Sequence, residues 1–471
     1  MSSRIATAER AVLVTVALGA ILAPLNSTMI AVALPQIVHD FHTSVGSAGW
    51  LITAYLLALA VVQPVAGKLG DRYGRRPFIL GGLSVFALAS LGAALAPSLG
   101  VLIAFRVIQA ISGAVVFPNG VGLVREVVPE ERRARAFGLV GGVLALAAAL
   151  GPPLGGLLIA VGGWQSIFYV NLPLVAATLG IAWRAVPRQR GRRPQTQFDW
   201  VGSVLFGAVL TGSAGLVIEG HRAGSPLVWV LGGLTLAGAS AWFVRRELSH
   251  PDPVLQPRFF TRRSFSAAST GVALSNLGFY TLLLATPILL SRHTNWSSLR
   301  IGLALTLLSA PTVALAPVGG RLADRLGRRI PAVAGCVLLT IALVPLALAP
   351  GIATAGLFAC LAVAGAGTGL SAAAMQTAAV EAVDERQAGV AAGLYSTSRY
   401  IGSFAGSIAL ARLLDAGPGL AGFRAVFAMA LAGAAFALLA TLALHAWPAT
   451  AARGKAQQLS RSAEAGAPGP V

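Results

Sequence analysis

GKLGDRYGRRP at residues 67–77 returns as GRLADRLGRRI at residues 320–330, with Gly, Leu, Asp-Arg, Gly and Arg-Arg in register 253 positions apart. A second pair, EVVPEERRARAFGL (126–139) and EAVDERQAGVAAGL (381–394), recurs at an offset of 255. Two matches at nearly one offset point to an internal duplication. The fold is therefore two copies of one unit, and the residues around the repeats say what that unit is.

Of the 471 residues, 56% are hydrophobic and 11% charged, against roughly 25% charged in a soluble domain. The chain is mostly apolar runs of eighteen residues or more, each long enough to cross a bilayer as a helix. The runs are too long, and too little alternating, for membrane strands. Breaks at charged or Pro/Gly-rich points predict fourteen spans: 11–38, 47–67, 78–97, 99–124, 137–161, 166–186, 200–219, 226–244, 265–291, 301–320, 330–349, 352–379, 388–411 and 421–446. The first run follows Arg4 and Arg10, but its length and the spans behind it predict a retained helix, not a cleaved leader.

Each repeat then holds six spans, 11–186 and 265–446, and two extra spans between them enlarge the offset. The expected fold is an all-α integral membrane protein of two six-helix bundles plus two extra central helices. The expected divisions are 1–190 (first bundle), 191–263 (additional helices and linkers), 264–450 (second bundle) and a disordered tail at 451–471. Duplicated six-span halves with a site at their interface near the midplane describe alternating-access transporters.

The net charge of +19 is distributed by topology. Counting Lys and Arg by side puts 28 on the side of the N-terminus, 5 on the other, and Arg106 and Arg399 inside spans. The positive-inside rule then places both termini in the cytoplasm, with anionic lipid as the partner of the basic loops. Those loops lack interleaved aromatic residues, so nucleic acid is not an expected partner. An enzyme would need a nucleophile, metal ligands or a carboxylate pair at usable spacing. The six histidines are scattered, there is no HExxH and no acid pair within a span, and Cys336 and Cys360 are isolated. No catalysis, metal or cofactor is expected. No sizeable soluble region supports a sensor, and the chain is expected to act as a monomer.

The chain resembles the major facilitator superfamily, specifically its fourteen-helix drug:proton antiporters. LNSTMIAVALP (25–35), GKLGDRYGRRP (67–77), RVIQAISGA (106–114), LGPPLGG (150–156) and WQSIFYVNLP (164–173) carry the resemblance in this order. It implies export of drugs or amphipathic metabolites in exchange for protons across the plasma membrane, the alternative being an uncoupled facilitator or importer of a small metabolite. It also implies a conformational latch in the 67–77 loop: Gly67 and Gly74 allow a tight turn, and Asp71, Arg72 and Arg75 form polar contacts shared with Glu126. Asp324, Arg325 and Arg328 are expected as a second, weaker copy. In the proline-glycine motif Pro152 bends the helix, Gly151 and Gly155 offer a close-packing face, and Gly156 adjoins it. The equivalent IGSFAGS (401–407) keeps glycines without prolines.

Polar groups within spans are the candidates for the substrate and coupling cavity. They are Asn26 and Thr28 in the first, Gln63 in the second, Arg106 and Gln109 in the fourth, Asn276 and Tyr280 one turn apart in the ninth, and Arg399 in the thirteenth. A charge at mid-membrane is costly and marks a wet cavity or a partner. The antiporter family usually carries Asp where this chain has Asn26, and an amide exchanges no proton near neutral pH. No acidic residue falls in the middle of a span. Coupling would then rest on a peripheral acid such as Glu219 or Asp40, or on the cargo itself. Asn26→Asp is expected to steepen the pH dependence of transport with little effect on folding.

Overall fold

The computed structural model describes residues 2–187, 198–222, 225–251, 253–294, 296–351, 353–384, 387–416 and 419–444. The linker arginines between 188 and 193, and the tail expected to be disordered, lie outside them. Helices α1 (Ser2–Asp40), α2 (Val45–Tyr73), α3 (Arg75–Ala94), α4 (Leu99–Val127), α5 (Glu130–Gly162), α6 (Ser166–Tyr169) and α7 (Asn171–Ala185) form the first half. The added pair is α8 (Trp200–Arg222) and α9 (Pro226–Ser249), followed by a short 3-10 turn at Pro257–Thr261. The second half is α10 (Arg263–His293), α11 (Ser298–Leu326), α12 (Arg329–Leu348), α13 (Thr354–Glu381), α14 (Ala388–Ala416) and α15 (Leu420–Leu442).

Among the described residues, thirteen helical segments are long and apolar enough to cross a membrane, α6 and α7 counting as one. Helix α14 completes the fourteen by length and position. Its sequence is more polar because Tyr395, Ser396, Thr397, Ser398, Arg399 and Tyr400 follow one another in it. The sixth expected span is interrupted at Val170. Pro173 has no N–H to give the carbonyl of Tyr169, so the ladder cannot run through that point.

The two halves repeat one packing pattern. In the first, α1 packs on α5 and α7, and α4 on α2 and α3; in the second, α10 packs on α14 and α15, and α13 on α11 and α12. The halves join along α2–α14, α5–α11 and α1–α10. Close approach depends on glycine at matched places. A Cβ on Gly155 would stand 3.1 Å from the Met29 backbone of α1, and one on Gly406 would stand 2.7 Å from the Leu277 carbonyl of α10. Gly151 and Gly402 repeat the arrangement one turn earlier, against α1 and α10. Gly74 (φ 92°) and Gly327 (φ 85°) make the turns that end α2 and α11, in a left-handed region where a side chain is strained.

The loops α2–α3 and α11–α12 lie at one end of the bundle, here the basic end. At the opposite, far end, one apolar cluster runs through both halves, from Ile37, Leu51 and Ile52 to Leu284, Ile288 and Leu305. At the basic end the apolar packing divides. Val12, Val16, Phe86 and Val124 belong to a cluster of the first half. Phe265, Cys336, Met375 and Leu394 belong to another, which takes in Phe206 and Phe243 of the added pair. The Arg125 guanidinium, lying against Gly389, spans the gap between halves there. Apolar packing is thus continuous through both halves at the far end and divides into two main clusters at the basic end, where Val65 of α2 also packs on the second-half cluster.

The added pair leans on the outside. Much of α9 is exposed and apolar, with Leu227 62% and Leu234 65% accessible, as lipid contact requires. Its base is tied down by buried charge. Asp199 caps α8 by accepting from the Gly202 amide at 2.8 Å and pairs with Arg246 at 2.8 Å. Burial pushes the Asp199 carboxyl up, but Arg246, the Gly202 amide and His250 outweigh it and hold the group below the ordinary carboxylate range. Glu247 accepts from the Leu255 amide at 2.7 Å, and Lys68 donates to the Pro253 carbonyl at 2.7 Å. The linker is thereby pinned to the last turns of α2.

Candidate functional site

Three consecutive polar residues of α1 answer to three neighbours, because successive helical side chains turn by about 100°. Asn26 points to α7 and exchanges a reciprocal amide pair with Asn171, both bonds at 2.9 Å. Ser27 points across to the other half, 3.3 Å from the Tyr280 hydroxyl of α10. Thr28 bonds back to the Pro24 and Leu25 carbonyls and packs toward Gly151.

Asn26 is one end of a buried polar string. Asn171 also donates to Ser90 at 3.4 Å, Ser90 accepts from Gln109 at 2.8 Å, and Gln109 accepts from Arg106 at 2.6 Å. Arg106 stacks over Tyr55, its guanidinium carbon 3.9 Å from the ring centre, and reaches toward the Leu51 carbonyl at 3.5 Å. Every member is almost wholly buried. The string crosses α1, α7, α3, α4 and α2 without leaving the first half. Asn26, Gln109 and Arg106, expected in a shared cavity, are closed inside one bundle in this conformation. The physical reason is mutual satisfaction: a buried amide or guanidinium costs roughly 1–3 kcal/mol for each bond it lacks, and here neighbouring polar groups supply those bonds. Only Arg106 Nη2 is left without a partner.

The groups that do meet between the halves come from other positions. Gln63 of α2 donates to the Tyr400 hydroxyl of α14 at 3.4 Å, and Ser27 faces Tyr280. Arg399 lies against the Tyr400 ring, 5.2 Å from its centre, with Tyr395 and Tyr280 in electrostatic reach. Asn276 shares the Tyr280 face of α10 and donates to its own helix at Val272, 3.1 Å away. Gln63, Asn276, Tyr280, Arg399 and Tyr400 are all half-buried, unlike the sealed string. Toward the far end this seam closes through the Thr53–Ser407 hydroxyl pair at 2.7 Å. Of the cavity residues expected from sequence, Gln63, Asn276, Tyr280 and Arg399 fall together here.

The proline-glycine motif closes the other seam. A Cβ on Gly156 would stand 2.6 Å from the Ser298 carbonyl and 3.1 Å from the Leu299 Cα of α11. Gly302 reciprocates, facing the Pro152 carbonyl and, at 3.1 Å, the Cα of Gly156. Gly302 was not singled out from sequence; its only signal there was a small residue in an apolar run.

Both basic loops carry an Asp–Arg–Glu triad. Arg75 bridges Asp71 and Glu126, the latter at 3.0 Å. Arg328 bridges Asp324 at 2.7 Å and holds Glu381 with two bonds of 2.8 and 3.1 Å. The second copy is therefore no weaker than the first, and its Glu381 contact is bidentate. Gly122 leaves room for the Arg75 guanidinium. Each triad lies within its own half, joining the turn to α4 or to α13. Gly67 faces Pro118 of α4 at 3.5 Å, and Arg72 lies 5.8 Å from the Tyr73 ring centre. The side chain of Glu219 lies outside the described residues. Asp40 accepts from the Trp164 indole at 3.1 Å, far from the seam.

Comparison with known proteins places this geometry. A family profile described as Major Facilitator Superfamily matches residues 16–266 and 268–467. The Bacillus subtilis protein named uncharacterized MFS-type transporter YvkA is 36% identical over 408 residues, 86% of this chain and 90% of that one. The Mycobacterium tuberculosis protein named multidrug resistance protein Stp is 32% identical over 406 residues, 86% of this chain and 75% of that one. A crystal structure described as a bacterial homologue of the human lysosomal transporter Spinster, inward-facing and unoccupied, matches with a TM-score of 0.67 at 18% identity. That match covers 93% of this chain and 98% of the other.

Proposed function

Because the chain belongs to the major facilitator superfamily, we propose that it exports drugs or amphipathic metabolites across the plasma membrane by alternating access. The observation that carries this is the seam: half-buried polar groups from both halves meet below a far end sealed by continuous core. A site shared by two bodies that part at one end is what rocking transport requires. The excess of Lys and Arg at the basic end supports a cytoplasmic position for that end and both termini. The proline-glycine motif and the name of the Stp relative, a multidrug resistance protein, favour export over import.

We assign protons as the exchange partner. The seam contains no carboxylate among the described residues, and Asn26 is bonded on both sides of its amide. The proton therefore enters through an outlying acid or on the cargo. The same observation favours a second reading, an uncoupled facilitator.

Inside-out vesicles separate these. Energised vesicles containing the protein should accumulate a fluorescent drug, and dissipating the pH gradient should stop accumulation. Equilibration of the dye without accumulation, at a rate indifferent to the gradient, selects the facilitator. No uptake above vesicles lacking the protein contradicts export.

A further inference from the structure

Two arginines, Arg106 and Arg399, lie deep inside the predicted spans, away from the loops, and they differ in what surrounds them. Arg106 is wholly buried and engaged by Gln109, Tyr55 and the Leu51 carbonyl. Arg399 is half-buried at the seam and, among the described residues, has no carboxylate in an ion pair with it. Its neighbours are the phenols of Tyr400, Tyr395 and Tyr280. On the four helices that meet here, α1, α2, α10 and α14, no acid stands beside Arg399. On α14 the next acid is Asp415, sixteen residues on and about 24 Å along the helix. On α2 it is Asp71, eight residues and about 12 Å from Gln63, and Arg75 already holds it. Helix α10 has no acid between Arg263 and His293, and on α1 the acids Glu9 and Asp40 sit near the two ends.

A buried charge is retained where something neutralises it or where it has work to do. Among the described residues, hydroxyls, an amide and ring faces surround Arg399, and no anion does. We propose that Arg399 is the anion-binding centre of the seam and that the cargo is an amphipathic organic anion with an aromatic body. This rests on the export reading above and deepens it. The guanidinium fork presents paired N–H donors that match a carboxylate or sulfonate. Tyr280, with Phe279 in edge contact at 6.0 Å, and Tyr400 offer ring faces for the cargo's apolar body. Gln63, at the Tyr400 hydroxyl, and Ser27, at the Tyr280 hydroxyl, can accept from or donate to its polar rim. A cationic drug would meet uncompensated like charge at this place, so the seam selects against it.

The test uses fluorescein and rhodamine 6G, xanthene dyes of similar size and opposite charge, with the full-length protein. Binding in lipid nanodiscs is read by fluorescence polarisation and uptake in inside-out vesicles by accumulated dye. Fluorescein should bind and accumulate, and rhodamine 6G should not. Arg399→Gln should weaken fluorescein binding roughly tenfold to a hundredfold, the loss expected for a charge-assisted bond. Arg399→Lys should restore part of it, and both variants should melt near the parent temperature. Binding of rhodamine 6G alone, or of both dyes with no effect of Arg399→Gln, overturns the anion assignment while leaving export standing. Uptake of neither dye overturns the export reading and the inference together.

Discussion

Asn26 of α1 and Asn171 of α7 hold each other by two amide bonds of 2.9 Å, each residue donor and acceptor at once. A carboxylate at either position can accept but cannot donate, so the pair is specific to two amides. Asn26 also donates to the Leu22 carbonyl at 2.9 Å. The polar notch in α1 is therefore a clasp inside the first half, with only Ser27 turned to the seam.

Asn26→Asp tests this clasp. The ionised acid would leave the Asn171 carbonyl oxygen without a donor, would remove the second bond to the Leu22 carbonyl, and would bury a charge. We expect a loss of about 2 kcal/mol or more at neutral pH, read as a lower melting temperature in detergent. A protonated acid can still donate, so the loss should shrink as pH falls. The sequence alone predicts little effect on folding; the reciprocal bonds predict a loss. A variant as stable as the parent at neutral pH would remove the clasp.

Gly156→Val and Gly302→Val should each block closure of the far end. The obstructing atoms belong to backbone, so no rotamer change relieves them. Transport should fall to background while Gly155→Ala, whose Cβ would meet Met29 at 3.1–3.3 Å, keeps part of it. Reagent accessibility of a cysteine placed at Ile301, buried in the far-end core, should rise in the valine variants. Unchanged accessibility would show that the α5–α11 approach does not seal this end.

The two triads predict symmetry. Arg75→Ala and Arg328→Ala should have similar effects, because each argininyl bridge joins an acid one turn away to one on a neighbouring helix. The carboxylates are partly exposed, so stability should change by about 1 kcal/mol or less. Thermal melts of both variants check this. A large difference between them would show that the second loop is not a working copy of the first.

Asp199→Asn should loosen the added helix pair. An amide oxygen can still cap α8 by accepting from the Gly202 amide, so the loss comes from the weakened Arg246 bond, about 1.5–3 kcal/mol. The Asp199 carboxyl is held below its ordinary value. Its contribution is thus complete above the unfolded carboxylate range and lost as pH falls through the folded value. Amide hydrogen exchange near 200–206 should rise in the variant at neutral pH and in the parent only in acid. Exchange indifferent to both would place the anchoring elsewhere.

The repeat in the basic loops and the lengths of the apolar runs made the two-bundle fold readable from sequence, down to the extra pair between the halves. Helix ends moved because the periodic signal fades at caps: α5 begins at Glu130 and not near 137, and α1 runs back to Ser2. The seam was readable only in part. A polar residue in an apolar run announces that it needs a partner, but not whether the partner is in its own bundle or across the interface. Asn26 and Ser27 are adjacent and differ on that point by a single helical step. Ser90, which completes the string, carries no signal in the sequence, and Asn171 stands in the WQSIFYVNLP motif without showing its pairing. Glu381 was visible in the second repeat, yet its bond to Arg328 needed α12 and α13 to be packed.

Rocking of the two halves about the seam is most directly measured by distances across both ends. In a background lacking Cys336 and Cys360, spin labels at His42 and Ala353 would report the far end, and labels at Tyr73 and Leu326 the basic end. All four positions are exposed. Pulsed electron resonance with and without saturating transported cargo should show opposite changes, the far pair lengthening as the basic pair shortens. Distances at both ends that stay fixed, or that move in the same direction, would contradict alternating access in this molecule.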